Sequence, residues 1–270
     1  PPGRLTGRGV AVYARPTPAP GQTSLRLSRR DDGGLVLEVP FPETGTGSHS
    51  VARQQLAAAL GIPPAAVEVR QAPTQSLSYD PGVGASRITV GISSAIAQLA
   101  RRWEDSGDSS VTVETQPGEA PALAYCAQQA TVAVDPETGK VEVLRLVSAV
   151  DVADIVRPAS HRLQIEGGAL MGWGFACLED LLEEDGQTWA ANLSEFKLPT
   201  AADSPDLRTV LVTGGRGVGP ANVKAVGELS NVAVAAAVAN AVADATGVQI
   251  RDLPVTAERV YWTLRERRHS

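Results

Sequence analysis

The segment that most restricts the fold of this chain is 232–245, which consists almost entirely of alanine and valine. Alanine has the highest helix propensity, and Gly247 stands where a C-terminal cap is expected, so the segment predicts a helix. Because it is apolar nearly all round, we expect this helix to be buried. Only Asn240 and Asp244, on one face, indicate a more polar side. Aromatic residues make up only 4% of the chain, so we expect a core of small side chains and closely approaching backbones.

Glu228 follows Gly227 and is placed by it at the entrance of the predicted helix. One interpretation is that an acid in the first turn complements the helix dipole, which contributes a few tenths to about 1 kcal/mol. The other interpretation is catalytic, since a carboxylate beside a buried helix can serve as a general base. Burial would favour the protonated form of this carboxylate and the helix N-terminus its ionised form, so the two effects oppose each other.

Composition argues against several classes of protein. The 270 residues are 43% hydrophobic and 20% charged, which suffices for one large domain or two modest ones. A net charge of -6 without a basic stripe makes nucleic acid and anionic membrane surfaces poor partners. The longest apolar run is too short and interrupted to span a bilayer, and no charged-then-apolar leader opens the chain. We therefore expect a cytoplasmic location.

The two cysteines, Cys126 and Cys177, lie far apart, and neither belongs to a Cys-x-x-Cys pair. The chain by itself is therefore expected to build no zinc site and no iron–sulfur cluster. Free thiols are the interpretation that we favour, and a disulfide between them is the alternative. The sequence does not start with methionine, which predicts a processed chain or a part of a longer one.

Strands joined in hairpins, with helices interspersed, predict an α+β fold of layered mixed and antiparallel sheets with packed helices, arranged as two similar subdomains. A polar, turn-rich stretch places the boundary after residue 118 and gives halves at 1–118 and 119–270. The second half would contain the long hairpin, the glycine-rich helix and the Gly-Glu turn. The predicted strands are 10–14, 24–28, 35–39, 67–70, 125–134, 140–150, 178–183, 188–190 and 207–213. The predicted helices are 51–60, 88–103, one that starts within 156–160 and runs through 174, 232–245 and 256–265.

Four glycines interrupt the helical pattern of 164–174, namely Gly167, Gly168, Gly172 and Gly174. Each one costs roughly 1 kcal/mol relative to alanine in a helix interior. Such a helix is favoured only if the glycines allow something to lie close against it. That object would be either a flat ligand or another backbone.

Glycine-rich turns also precede the helices predicted near residues 51, 88 and 232. Glycine lets backbone N–H groups approach an anion at a helix N-terminus, so these turns suggest a large anionic or amide-rich ligand. Ordinary tight connections are the alternative. No P-loop and no Gly-x-Ser-x-Gly elbow occurs, and 214–219 lacks the Rossmann spacing. Glu228 is therefore the best candidate for a general base.

With these motifs in order, the chain resembles the C-terminal half of the large subunit of the molybdenum hydroxylases, the family of xanthine dehydrogenase, aldehyde oxidoreductase and aerobic carbon monoxide dehydrogenase. The similarity runs nearly from end to end. The matching segments are the first pterin loop at 42–50, the second at 82–89, the long hairpin at 125–150, the glycine helix at 164–174, the Gly-Glu turn at 224–228 and the C-terminal signature at 253–260.

The resemblance implies a role for each matching position. Glu228 would be the catalytic general base, which removes a proton from the water-derived oxygen that attacks the substrate. The cofactor would be a molybdopterin-type molybdenum cofactor, with the cytosine dinucleotide form as one option. Its dithiolene, and not a residue of this chain, would ligate the metal. The cofactor-binding residues implied by the family pattern are Gly45, Thr46, Gly47, Ala85, Ser86, Arg87, Gln164 and Gly227.

The same resemblance implies that the chain works only within a larger assembly. The family's first molybdenum-binding domain, in the same or a separate chain, would complete the site. Partner domains or subunits with [2Fe-2S] clusters and FAD would remove the electrons. The substrate would be a small molecule, namely an aldehyde, a purine or other N-heterocycle, or carbon monoxide, oxidised with water as the source of oxygen.

Several positions depart from the family pattern. Thr46 stands where many relatives have glutamine, and Leu229 stands where proline is common. Val83 and Ile88 replace residues that often carry a hydroxyl group. Val83 and Ile88, together with the absent first domain, support a second hypothesis, a cofactor-free relative with a structural or interaction role. A third hypothesis, an unrelated hydrolase or nucleotide binder, is disfavoured by the missing motifs.

Overall fold

The computed structural model describes residues 3–18, 21–116, 118 and 122–269. Its strands are β1 Leu5–Pro16, β2 Thr23–Arg29, β3 Leu35–Val39, β4 Val67–Gln71, β5 Ser110–Thr115, β6 Leu123–Val134, β7 Val141–Ala153, β8 Glu183–Glu184, β9 Gln187–Thr188 and β10 Asp206–Thr213. Its helices are α1 Ser48–Ala59, α2 Ile88–Ser106, α3 Pro158–Cys177, α4 Leu193–Phe196, α5 Leu229–Val232, α6 Val234–Thr246 and α7 Ala257–His269, and Pro64–Ala66 forms one 3-10 turn.

Two four-stranded mixed sheets organise these elements. Sheet I has the order β1-β6-β7-β10, in which only β7 and β10 are parallel neighbours. Sheet II has the order β4-β3-β2-β5, in which only β3 and β4 are parallel. The α+β class with mixed sheets and packed helices, predicted from the hairpin pattern, is confirmed.

Sheet II packs against α1 and α2, and this packing fixes one wall of the candidate functional site. Leu25 of β2, Leu56 of α1 and Leu99 of α2 are fully buried in the same apolar cluster. Ile88, the first residue of α2, belongs to this cluster as well. The core therefore determines where the loop 80–87 enters the helix.

Strand β1 does not follow the predicted division of the chain. It pairs antiparallel with β6 along its whole length, from Leu5 opposite Val134 to Pro16 opposite Leu123. The N-terminal strand thus completes the sheet of the C-terminal half, because β6 offers it a full-length edge. The division into 1–118 and 119–270 stays a prediction about domain extent, and residues 119–121 beside it lie outside the described residues.

Helix α6 lies directly on the backbone of β1, as expected for a core of small residues. A Cβ atom on Gly7 would lie 2.3 Å from the carbonyl oxygen of Ala241, and one on Gly9 would lie 2.2 Å from that of Ala237. Such distances are sterically forbidden, so glycine is required at both positions for helix and strand to approach this closely.

The two polar residues of this helix bind the strand as well as facing solvent. The Nδ2 of Asn240 donates to the carbonyl oxygen of Val10 at 2.9 Å, and the Oδ2 of Asp244 accepts from the backbone N–H of Arg8 at 2.8 Å. Both side chains remain exposed, as the sequence predicted. They satisfy backbone groups on the outer edge of β1.

The helix predicted over 232–245 differs in two ways from the expectation. It is interrupted at Ala233, which separates α5 from α6, although Gly247 forms the predicted left-handed C-terminal cap with φ 73°. The expectation that this segment is buried is met on one face only, since Val238 is fully buried whereas Val232 is 46% exposed. Only one face of the helix meets sheet I, and alanine tolerates either environment.

Length and composition alone would allow Leu229–Thr246 to cross a membrane, with a mean hydropathy of 1.3. In the structure 44% of this stretch is buried, and it packs on β1, β6 and α3. A core helix can have the same length and hydropathy, so the stretch is weak evidence for a membrane span.

Helix α3 packs on α5 through two of its glycines. A Cβ atom on Gly168 would lie 2.3 Å from the Oγ of Ser230, and one on Gly172 would lie 2.4 Å from the carbonyl oxygen of Asn231. Of the two alternatives stated for this helix, a neighbouring segment of the protein and not a ligand therefore accounts for these positions, through the Ser230 side chain at Gly168 and the backbone at Gly172. The contact fixes α5 and the residue before it, Glu228.

Both cysteines are free thiols, as favoured from the sequence. Burial raises the pKa of Cys126 to about 11 and that of Cys177 to about 12. Neither is therefore activated as a nucleophile.

Candidate functional site

A cleft of about 330 Å³ lies between the N-terminal ends of α2 and α3 and the turn that precedes α5. This volume is within the usual range of ligand sites. Two predicted site residues, Gly45 and Gly47, do not line it. The other predicted site residues do, namely Thr46, Ala85, Ser86, Arg87, Gln164, Gly227 and Glu228.

Three of these residues form one hydrogen-bonded unit around Gly227. Its N–H donates to the Oγ of Ser86 at 3.0 Å, and its carbonyl oxygen accepts from the Nε2 of Gln164 at 3.1 Å. A Cβ atom on Gly227 would lie 2.5 Å from the Oγ of Ser86, so glycine allows the two segments to approach. The second predicted loop, α3 and the Gly-Glu turn are thereby held in one fixed arrangement.

The second loop is strained at its point of contact. Ala85 has a φ of 49° and Ser86 a φ of 62°, both in the left-handed region that non-glycine residues rarely occupy. Such residues persist where surrounding contacts hold them, and they concentrate at functional sites. Here the contacts are the hydrogen bond from Gly227 to Ser86 and one from the Nη2 of Arg15 to the carbonyl oxygen of Ala85 at 3.1 Å.

The guanidinium group of Arg87 is occupied within the protein. It donates to the Oδ1 of Asp80 and the carbonyl oxygen of Gly82, both at 2.9 Å, and to the carbonyl oxygen of Gln22 at 2.8 Å. Arg87 and Asp80 are both buried at their side chains, so this is an internal ion pair. Arg87 therefore shapes the loop 80–87, and its charge is neutralised beside the cleft.

The first predicted cofactor loop is already filled by a side chain of this protein. The Oε1 of Glu43 accepts from the N–H groups of Gly45 and Gly47, both at 2.9 Å, and its Oε2 accepts from that of His49 at 2.9 Å. Burial raises the pKa of Glu43, but these hydrogen bonds outweigh it and lower the pKa below the usual 4.5. The amides expected to face an anionic ligand thus bind an internal carboxylate, and Thr46 and Ser48 are the residues of this loop that line the cleft.

Glu228 stands at the rim of the cleft and is exposed over 68% of its side chain. The expectation of a carboxylate in a buried environment is therefore not met in this chain. Its Oε2 accepts from the Nη1 of Arg15 at 3.2 Å. The helix that it precedes is one turn long, and the side chain makes no capping hydrogen bond to it, so the structure gives the helix-entry interpretation no support.

Sequence reasoning missed three residues of the first turns of α3 that line the cleft, Arg157, Ser160 and His161. A Cβ atom on Gly47 would lie 3.0 Å from the Nη1 of Arg157 and 3.1 Å from the Oγ of Ser160, so both side chains converge on the first loop. Within the described residues, the guanidinium group of Arg157 has no hydrogen-bond or ion-pair partner. The signal in the sequence was Pro158, whose preference for the first helical position makes Arg157 the N-cap.

Lys224 also lines the cleft, but its charge is already compensated. Its Nζ pairs with the Oδ2 of Asp151, and the lysine side chain is only 7% exposed. No three His, Cys, Asp or Glu side chains in the part of the chain that the structure describes converge on a metal position. The cleft combines apolar side chains with amides, hydroxyls, an imidazole, a carboxylate and a guanidinium, which suit a polar organic ligand.

The family model of the molybdopterin cofactor-binding domain matches residues 2–112 and 101–205. The chain is 26% identical to the aldehyde oxidoreductase molybdenum-binding subunit PaoC of Escherichia coli O157:H7, over 95% of this chain and 40% of that protein. It is 27% identical to the putative xanthine dehydrogenase molybdenum-binding subunit XdhA of Escherichia coli K12, over 87% of this chain and 38% of that protein. The chain therefore spans well under half the length of these curated relatives.

Solved structures share the fold at low identity. The reconstituted CO dehydrogenase of Oligotropha carboxidovorans superposes with a TM-score of 0.88 at 18% identity, over 99% of this chain and 41% of that one. The aldehyde oxidoreductase of Desulfovibrio desulfuricans superposes with a TM-score of 0.81 at 24% identity, over 97% of this chain and 33% of that one. At these identities the likeness establishes the fold and no more.

Proposed function

This chain belongs to the molybdopterin cofactor-binding domain family, as its motifs predicted, and from that premise we propose that it forms one wall of the active site of a molybdenum-dependent hydroxylase. The reaction would oxidise a small molecule, with water as the source of the oxygen introduced. The observation that carries the proposal is the convergence of Ser86, Gln164 and Gly227 into one hydrogen-bonded unit, with Glu228 beside it at the rim of a cleft.

The groups at this cleft fit a phosphorylated, amide-rich pterin. Gln164 uses its Nε2 on Gly227, which leaves its Oε1 to accept a hydrogen bond. Ser86 accepts at its Oγ and keeps its hydroxyl proton to donate. Arg157 adds a guanidinium group of the kind that binds phosphate in a bidentate manner. When bound, the cofactor would supply the two-electron redox chemistry that these side chains lack.

The other predicted cofactor residues would act indirectly. Gly45 and Gly47 bind Glu43, so they shape the loop that presents Thr46 to the cleft. Arg87 holds the second loop through Asp80. We therefore assign direct contact to Thr46, Ser86, Gln164 and Arg157, and a supporting role to the rest.

Glu228 is the group that we assign to proton transfer. Its Oε2 is held by Arg15, and its Oε1 has no partner among the described residues, so Oε1 can accept a proton. Its exposure in this chain fits a site of which the other wall is supplied elsewhere. Enclosure by that wall would exclude water and strengthen each electrostatic contact at the carboxylate.

The remaining parts of the assembly follow from the family and belong to the proposal. The first molybdenum-binding domain, in the same or a separate chain, would complete the cleft, and [2Fe-2S] and FAD partners would carry electrons away. The relatives' names support an aldehyde or a purine-like heterocycle as the substrate class. The cytosine dinucleotide form of the cofactor and a cytoplasmic location are further parts of the proposal.

The test is Glu228→Gln in the complete, purified assembly, with Glu184→Gln on the exposed β8-β9 ribbon as the control. We expect the variant to keep its molybdenum, measured by elemental analysis, and to lose about 10²–10⁴-fold in kcat, because a positioned base contributes that much. Retained turnover would remove Glu228 from this role. An assembly without molybdenum, from cells that load another molybdenum hydroxylase, would instead support the cofactor-free structural relative.

A further inference from the structure

Arg15 belongs to none of the sequence motifs, yet it links the carboxylate of Glu228 to the second loop. It is the penultimate residue of β1. Its Nη1 donates to the Oε2 of Glu228 at 3.2 Å, and its Nη2 donates to the carbonyl oxygen of Ala85 at 3.1 Å. One guanidinium group therefore bridges two segments that meet at the cleft.

The reach of Arg15 follows from the pattern of β1. Alternate residues of a strand share one face, and from Gly7 onward that face of β1 consists of Gly7, Gly9, Ala11, Tyr13 and Arg15. The two glycines accommodate the backbone of α6, the alanine packs on the core around α6, and the tyrosine packs on the cluster that contains Leu229 of α5. From Gly7 onward the side chains on this face grow longer along the strand, and the last one reaches Glu228 at the start of α5.

Stability alone does not account for this contact. Arg15 is 19% exposed at its side chain but Glu228 is 68% exposed, and an ion pair with one solvated partner contributes little to folding. The other acceptor is the carbonyl oxygen of Ala85, whose left-handed backbone needs external contacts to persist. Arg15 and Ser86 thus tie the strained loop to Glu228 and Gly227 at two separate points.

We propose that Arg15 is a positioning residue that fixes the carboxylate of Glu228 relative to the loop 82–87. This inference rests on the proposed role of Glu228 as a general base. The anchored Oε2 orients the carboxylate and leaves Oε1 free to accept a proton. Arginine is required because its planar fork presents two donors at a fixed spacing, whereas lysine presents a single point charge.

The test compares Arg15→Gln and Arg15→Lys in the complete, molybdenum-loaded assembly. Arg4→Gln is the matched control, since Arg4 also pairs with a glutamate, Glu142, at the opposite end of β1. We expect Arg15→Gln to lower kcat by about ten- to a hundredfold, as small misplacements of a catalytic group do, with KM and molybdenum content nearly unchanged. Arg15→Lys should stay close to Arg15→Gln, and Arg4→Gln should match the wild type.

Hydrogen–deuterium exchange of 82–87 supplies a readout that does not depend on turnover. The backbone amides there should exchange faster in both Arg15 variants than in Arg4→Gln. Unchanged kcat in Arg15→Gln, or full recovery in Arg15→Lys, overturns the proposal, and so does unchanged exchange. Failure of the proposed function shows itself separately, as turnover in Glu228→Gln or as a wild-type assembly without molybdenum, and the exchange comparison then still decides whether Arg15 holds the loop.

Discussion

The backbone nitrogen of Gly227 lies 3.0 Å from the hydroxyl oxygen of Ser86, and this hydrogen bond joins the Gly-Glu turn to a loop far away in the sequence. A Cβ atom on Gly227 would lie 2.5 Å from the same oxygen. The glycine and the serine therefore depend on each other. The missing side chain makes room for the hydroxyl, and the hydroxyl satisfies the backbone N–H.

This dependence predicts coupling between two substitutions. Gly227→Ala should lower the free energy of unfolding by about 1–3 kcal/mol, because the new methyl group collides with the Ser86 hydroxyl. Ser86→Ala alone should lower it by about 1 kcal/mol, because the N–H of Gly227 loses its acceptor. In the double variant the Cβ of residue 86 lies 3.5 Å from the new methyl group, an ordinary contact, so the loss should be smaller than the sum. Urea unfolding of the four proteins measures the coupling, and strict additivity would contradict the contact.

The glycines of α3 predict opposite effects for the same substitution. Gly172→Ala should lower the free energy of unfolding by about 1–3 kcal/mol, since its Cβ would lie 2.4 Å from the carbonyl oxygen of Asn231. A Cβ atom on Gly167 would meet no atom within 4 Å beyond its chain neighbours and the adjacent backbone of α3, so Gly167→Ala should raise the free energy of unfolding by about 0.5–1 kcal/mol through helix propensity. Thermal or urea unfolding compares the two variants. A loss of stability in Gly167→Ala would show that another contact constrains α3 at this position.

Local pattern was enough to predict much of this fold. The hairpin of β6 and β7, the helices and the α+β class follow from apolar periodicity and turn residues, which act over a few positions. The sheet in which β1 lies could not be predicted in this way. Its alternation fits either sheet, and the choice is made by the free edge of β6, more than a hundred residues away.

Seven of the nine predicted site residues line the cleft, but their contacts were not predicted. Glycine-rich turns expose N–H groups whether the acceptor is a ligand or a side chain of the same protein. The sequence therefore could not tell that Glu43 fills the first loop or that Asp80 neutralises Arg87. Arg15 could not be predicted because β1 carries no motif. Its contact with Glu228 exists only in the folded chain.

Glu43 predicts a pH dependence of stability. Its pKa is lowered in the folded protein, so its contribution is fully present above the unfolded value of about 4.5 and is lost as the pH falls through the lower folded value. Glu43→Gln should therefore be less stable than the wild type at pH 7, and the difference should shrink toward pH 3. Urea unfolding across this range measures it, with Glu104→Gln on the exposed side of α2 as the control. A difference that does not vary with pH would exclude the carboxylate as the cause.

Arg157 predicts a defect in cofactor retention that is separate from catalysis. Its guanidinium group lines the cleft without a partner among the described residues, and it lies next to Ser160 and the first loop. A charge-assisted hydrogen bond to phosphate is worth about 1.5–3 kcal/mol, so Arg157→Gln should release the cofactor roughly ten- to a hundredfold faster. Arg162→Gln is the matched control, because Arg162 lies on the same helix and its side chain is 67% exposed. Molybdenum and phosphate retained during extended gel filtration give the measurement, and equal retention in the two variants would show that Arg157 does not bind the cofactor.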